Sequence, residues 1–204
     1  MTRRRVAIGV ASIAVLLVAL NVAGLLRYPG GPLREPNADG LFWLDTRPPD
    51  QGSNTVGVTS GAGVRPGVPL YTGIGLNNDG PWPVTVEQVR LVGATPGLRL
   101  VDVRMALPGT SGELAGLLAG SGPDVAELGL DTDYGPLPAQ LAAHNESGEG
   151  RVSIEVIADR PGEYAYDAVA IDYRVGPFSF TVVHHEALGA CIVPLPSGAT
   201  CSLD

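Results

Sequence analysis

The chain has 204 residues, 45% of them hydrophobic, and a formal net charge of −8 at pH 7; its 13 basic residues are all arginine. Arg3, Arg4, Arg5 and Arg27 flank one apolar run, which leaves 9 arginines against 21 acids elsewhere, a net of −12. An acidic body of this kind excludes nucleic acid and anionic headgroups as attractive partners, because both repel it.

Val6 to Leu26 reads VAIGVASIAVLLVALNVAGLL, without a charge. Its 21 residues, at about 1.5 Å each, just cross a hydrocarbon core of about 30 Å. The rival reading is a cleaved signal peptide, whose apolar region is usually about 7–15 residues and ends in a small-x-small site. Here the nearest such site, Val22-Ala23-Gly24, lies inside the run and is followed by Leu25-Leu26, and no cysteine stands nearby for lipid attachment. The preferred reading is a retained anchor, with residues 1–5 as a basic cytoplasmic tail and 6–26 as a transmembrane helix in the lipid bilayer. Three arginines precede the span and only Arg27 and Arg34 follow closely. The positive-inside bias therefore keeps the N-terminus cytoplasmic and puts the body outside the cell membrane. Asn21 is the one strongly polar residue of the run, read as lying near its outer end rather than bonding a second membrane helix.

The roughly 175 residues beyond the anchor suffice for one domain with its own core. Residues 27–54 are expected to form a stiff linker, since Pro29, Gly30, Gly31, Pro32 and Pro36 interrupt any periodic pattern. Within it, Leu41-Phe42-Trp43-Leu44 is either a first strand or a patch at the membrane surface. From Thr55 the period becomes two: Val56 and Val58, then Val68, Leu70, Thr72, Ile74 and Leu76 alternate as in a half-buried strand. Asn77-Asn78-Asp79-Gly80-Pro81 is a dense turn signal. Val84 and Val86 begin a partner strand whose phase shifts at Glu87–Gln88, the mark of a β-bulge, before Val89 and Leu91. A further strand runs from Leu98 to Leu107 after the turn Thr95-Pro96-Gly97.

The stretch LYTGIGLNNDGPWPVTVEQVRLVGATPGLRL resembles the strand–Asn-x-Gly–strand unit of bacterial cell-surface immunoglobulin-like domains. The resemblance covers about 30 residues, counted from the rows, and implies a fold, with spacer or adhesion roles and no catalytic residue. Trp82 stands at the tip of the turn. The usual burial of tryptophan favours a ring folded onto the sandwich end; the functional alternative is a partner-contact anchor, since an aromatic there is costly unless it packs or binds.

Between residues 108 and 150 the alternation lapses. Thr110-Ser111-Gly112-Glu113 is a capping box, and Leu114, Leu117 and Leu118 fall at helical spacing, so a short helix is expected in this insert. Such an insert is where a specific function would sit, with tolerated decoration the equally good alternative. Alternation resumes through Val152, Ile154 and Val156, and a Pro161-Gly162-Glu163-Tyr164 step leads into Tyr166 to Tyr173. That step resembles the tyrosine corner of immunoglobulin-like folds, which implies that the Tyr164 phenol bonds a nearby backbone group. Phe178, Phe180 and Val182 form the last long strand. Seven or eight strands at such spacings indicate an all-β, immunoglobulin-like β-sandwich over residues 55–204.

Cys191 and Cys201 are the only cysteines. On the oxidising side of a membrane an even pair is most simply a disulfide, and Pro194, Pro196 and Gly198 let the intervening chain double back. His184-His185-Glu186 alone invites a metal. Neighbours on a strand point to opposite faces, so His184 and Glu186 could share a site, completed by His144 or an acid of the insert. An exposed strand end is the preferred reading, because two adjacent ligands fall short of the usual count. Asp131-Thr132-Asp133 resembles the opening of a calcium loop but lacks its glycine and its later glutamate. No nucleophile elbow, phosphate loop or reactive cysteine is present. The expectation is a non-catalytic, cofactor-free module that contacts another membrane or envelope protein; the alternative is a metal- or ligand-binding module using His184 and Glu186.

Overall fold

The computed structural model describes residues 2–23, 25–34, 54–58, 64–106, 118–119, 134–144 and 150–193. Helix α1 (Thr2–Val22) comes first. Strands β1 (Arg27–Pro29), β2 (Leu33–Arg34), β3 (Asn54–Val58), β4 (Leu70–Gly75) and β5 (Asn77–Asn78) follow. After them come β6 (Val84–Val92), β7 (Leu98–Ala106), β8 (Leu118–Ala119), β9 (Tyr134–Pro136) and β10 (Ala139–Leu141). The chain continues with β11 (Arg151–Ala158), β12 (Gly162–Tyr166), β13 (Ala168–Val175), β14 (Phe178–His184) and β15 (Glu186–Ile192). Seven of these strands run six residues or more, and among the described residues beyond α1 all the regular structure is strand.

Two five-stranded sheets form the body. The first has the order β1-β14-β13-β6-β10 and the second β8-β4-β11-β7-β9. Their inner faces meet in one core: Val84, Val86, Val89, Val169, Ile171 and Tyr173 from the first, Leu70, Ile74, Val152, Ile154 and Val156 from the second. Period-two alternation dictates this, because every second valine or isoleucine of a strand faces the other sheet. A third sheet, β12-β15-β3, joins at the side, and β2 pairs with β5. The phase shift at Glu87 is a real bulge: Gln88 pairs Asp172 and Val86 pairs Tyr173, so Glu87 has no opposite number. A second bulge releases Val101 between the pairs Glu155–Asp102 and Val156–Leu100, and its side chain is exposed.

The sequence reading needs correcting in several places. Residues 27–34 are not linker. β1 lies parallel on β14, and β2 pairs β5, with Leu33 fully buried in the core. The sandwich therefore begins near Arg27, not at residue 55. The expected single strand from Tyr166 to Tyr173 is divided at Asp167: β12 belongs to the third sheet and β13 to the first. His185 marks a matching break, where the chain leaves β14 for β15. Strands that change sheets in this way make the corners of such folds. Leu118, expected in a helix, lies in β8 opposite Tyr71. The capping box at Thr110, the calcium-like Asp131 and Asp133, the Leu41–Leu44 patch and Cys201 fall outside the described residues.

Among the described residues no helix is long and apolar enough to cross a membrane.

Candidate contact site

One cross-strand row organises the end of the first sheet nearest α1. Arg27, Ser179, Arg174, Thr85 and Gln140 lie side by side across all five strands. Beyond this row lie four chain segments: the end of α1, the Gly176-Pro177 turn, the Asp79–Pro83 loop and the chain after Leu141.

The Trp82 loop is braced before anything binds it. Asn78 is buried, and its Nδ2 donates to the carbonyls of Trp82 and Ala142, both at 2.8 Å. Its Oδ1 accepts the Gly80 N–H at 3.0 Å. The Asp79 N–H donates to the Pro32 carbonyl at 3.2 Å and the His144 N–H to the Gly80 carbonyl at 3.3 Å. A side chain on Gly80 would run into Pro32. Prolines on both sides of Trp82 restrict the backbone further. The Trp82 ring nevertheless stands 67% exposed. It is not folded onto the sandwich end as the usual burial of tryptophan would have it. Around it lie the exposed Arg34–Asp79 ion pair, 3.4 Å apart, and exposed His144. A rigid aromatic inside a polar rim is the build of an interface hot spot.

The outer face of the first sheet carries a charge network. Asp172 is only 3% exposed and accepts two bonds from Arg90, Nε at 3.2 Å and Nη2 at 3.1 Å. Thr181 Oγ1 donates to it at 2.6 Å, and Arg27 lies 3.6 Å away. Glu87, the bulged residue, pairs with Arg27 at 3.7 Å and Arg174 at 3.5 Å. Burial alone would raise the Asp172 carboxyl; the bonds from Arg90 and Thr181 and the nearby arginine charges outweigh it and hold the group below its ordinary 3.8. A carboxyl depressed by folding adds stability above its unfolded pKa and loses it as pH falls through the lowered folded value. The midpoint of thermal unfolding should therefore drop on acidification below about pH 4, and Asp172→Asn should flatten that part of the profile. A variant that kept the full acid slope would show that other carboxylates set it.

Among the described residues the metal reading finds no geometry. His184 ends β14 only 2% exposed, not at an exposed strand end, while His185 is exposed. His184 pairs Val169, which pairs Leu91, whereas His144 follows Leu141, which pairs Val84. Those positions lie at opposite ends of β6, about 20 Å apart along the strand. His144 and His184 cannot share an ion. The Glu186 side chain lies outside the described residues, among which no group of three His, Cys, Asp or Glu could hold a metal.

Tyr164 packs its ring between Gly97 and Gly162. The phenol that binds a distant backbone segment is that of Tyr173, which donates to the Gly30 carbonyl and accepts the Leu33 N–H. Tyr164 stands on β12 of the third sheet and Tyr173 on β13 of the first, so the break at Asp167 separates them. Cys191 is buried on β15, and no cysteine among the described residues is free.

The described residues thus define a mainly β domain, built on two five-stranded sheets, with a braced aromatic loop at the end nearest its N-terminal helix. No family model and no curated protein matches the chain. Among solved structures it is similar to the ASH / PapD-like domain of human CEP192 (PapD-like domain 7), with 15% identity and a TM-score of 0.32 over 66% of this chain and 79% of that one. The architecture stands on its own strand pairing.

Proposed function

We propose that the protein is a membrane-anchored, non-catalytic interaction module, immunoglobulin-like in build and displayed outside the cytoplasm, which contacts another membrane or envelope protein through the Trp82 loop. The observation that carries this is Trp82 itself: a tryptophan held in solvent by a loop that Asn78, Pro32 and His144 brace through hydrogen bonds. Preorganisation spares a partner the cost of ordering the loop. Support for the anchor comes from α1, where Val10, Ile13, Val15, Leu16, Leu17, Val18 and Val22 are all exposed. So continuous an apolar surface needs a cover, and with its flanking arginines the run 6–26 fits lipid. The disulfide Cys191–Cys201 belongs to the same reading and would stabilise the fold by about 2–3 kcal/mol.

Crosslinking capture from native membranes tests the contact. Trp82→Ala should weaken binding by at least about 2 kcal/mol, roughly thirtyfold in Kd. The same change should leave stability within about 0.5 kcal/mol, since the ring touches little of the fold. Undiminished capture by a folded Trp82→Ala protein would remove the loop from the interface.

A further inference from the structure

Among the described residues, contacts tie the end of the helix to the sandwich. Asn21, one residue before the end of α1, is buried, and its Nδ2 donates to the Pro177 carbonyl in the β13–β14 turn at 3.2 Å. The Leu25 N–H closes the helix end on the Leu20 carbonyl at 3.0 Å, and by Arg27 the chain is already paired with Ser179. The turn 176–178 is thereby held at the level of the last helical turn.

The corner formed there is apolar and uncovered. Phe178 is 47% exposed and Tyr28 37% exposed, their ring centroids 6.3 Å apart, and Leu25, a short way before Tyr28 in the chain, is exposed too. Arg27 is the one charged residue in this stretch, and its guanidinium is turned to Asp172 and Glu87. If residues 6–26 span the bilayer, Asn21 lies within a few ångströms of its outer hydrocarbon boundary, where a headgroup layer of about 5–7 Å begins. Aromatic rings with one apolar and one wet side are the residues that favour this layer.

From this geometry we propose a second contact of the module: Tyr28 and Phe178 seat the sandwich in the headgroup layer of the bilayer and fix its tilt on the anchor. This rests on the anchor reading above. Trp82 lies at the same end but on β6's side, three strands from β1 and so about 14 Å across the sheet, amid a polar rim, which leaves it to a protein partner.

The test uses the full chain in phosphatidylcholine nanodiscs, with Phe178→Trp as the sole fluorophore in a Trp43→Phe, Trp82→Phe background. Emission should be blue-shifted and quenched at least about twofold more by bromines near the headgroup than by bromines near the chain end, as an interfacial ring requires. Acrylamide should quench it less than it quenches a free tryptophan. Tyr28→Trp in the same background gives a second probe should the first variant fold poorly. A chain that stays in the membrane through alkaline carbonate extraction, yet shows a fully hydrated Trp at both positions, overturns the seating alone. Loss of the chain to the carbonate supernatant overturns the anchor reading and the seating with it. Shielding in native membranes that vanishes in pure lipid overturns the seating in favour of a protein cover.

Discussion

Tyr173→Ala is expected to cost about 3–5 kcal/mol, the range for removing a buried aromatic. The side chain is fully buried, and its ring stacks on Phe180 with centroids 5.4 Å apart and planes at 21°. Its hydroxyl donates to the Gly30 carbonyl and accepts the Leu33 N–H at 3.3 Å. Burial pushes the phenol above its ordinary 10.0, so it remains a donor throughout the neutral range. Gly31 belongs to the same arrangement: it has φ of 92°, and a side chain there would meet the Tyr173 hydroxyl and the Phe180 ring. Tyr173→Phe isolates the polar part. It keeps the stack but strands a carbonyl and an N–H, at about 1–3 kcal/mol. Thermal unfolding in detergent measures both variants, and limited proteolysis between residues 30 and 34 reports whether the segment has come loose. If the Phe variant matched wild type in both assays, the two bonds would contribute nothing to holding β1 and β2 in place.

Ile154→Ala should destabilise by about 2–5 kcal/mol, and Ile154→Val by about 0.5–1.5 kcal/mol. Ile154 lies mid-way along β11, the central strand of the second sheet, between Thr72 on one side and Val103 on the other, and is fully buried. The cavity faces the first sheet, where pairing on both sides of β11 leaves the backbone little freedom to collapse into it. A chemical-denaturation midpoint measures the loss. An alanine variant within about 0.5 kcal/mol of wild type would mean the two sheets do not share one close-packed core.

What the sequence disclosed follows from how local each cause is. β6 was readable together with its bulge, because Val84, Val86 and Val89 carry both the alternation and its slip. β1 was not. Pro29, Gly30, Gly31 and Pro32 are breakers in any local reading, yet a proline is tolerated on an edge strand, where no partner requires its N–H. β15 escaped for a different reason: EALGACI has small residues and no clean alternation, and becomes a strand only because β12 and β3 pair it on both sides. At the site, the Asn-Asp-Gly turn announced the Trp82 loop. Its bracing did not show, since two of the bonds run to Pro32 and Ala142, far off in the chain. The late tyrosines make the same point. Tyr164 had the local motif, and Tyr173 had the register.

The short strand β1 has a practical meaning for anyone who cuts this protein into pieces. It is the outermost strand of its sheet and covers the flank of β14 from Ser179 to Thr181. A soluble fragment trimmed at residue 55 would lose that cover and Leu33 together. The bared flank of β14 would offer its unsatisfied amides and carbonyls to the same flank of a second molecule, the ordinary start of edge-to-edge aggregation. A fragment that begins at Arg27 keeps the flank closed.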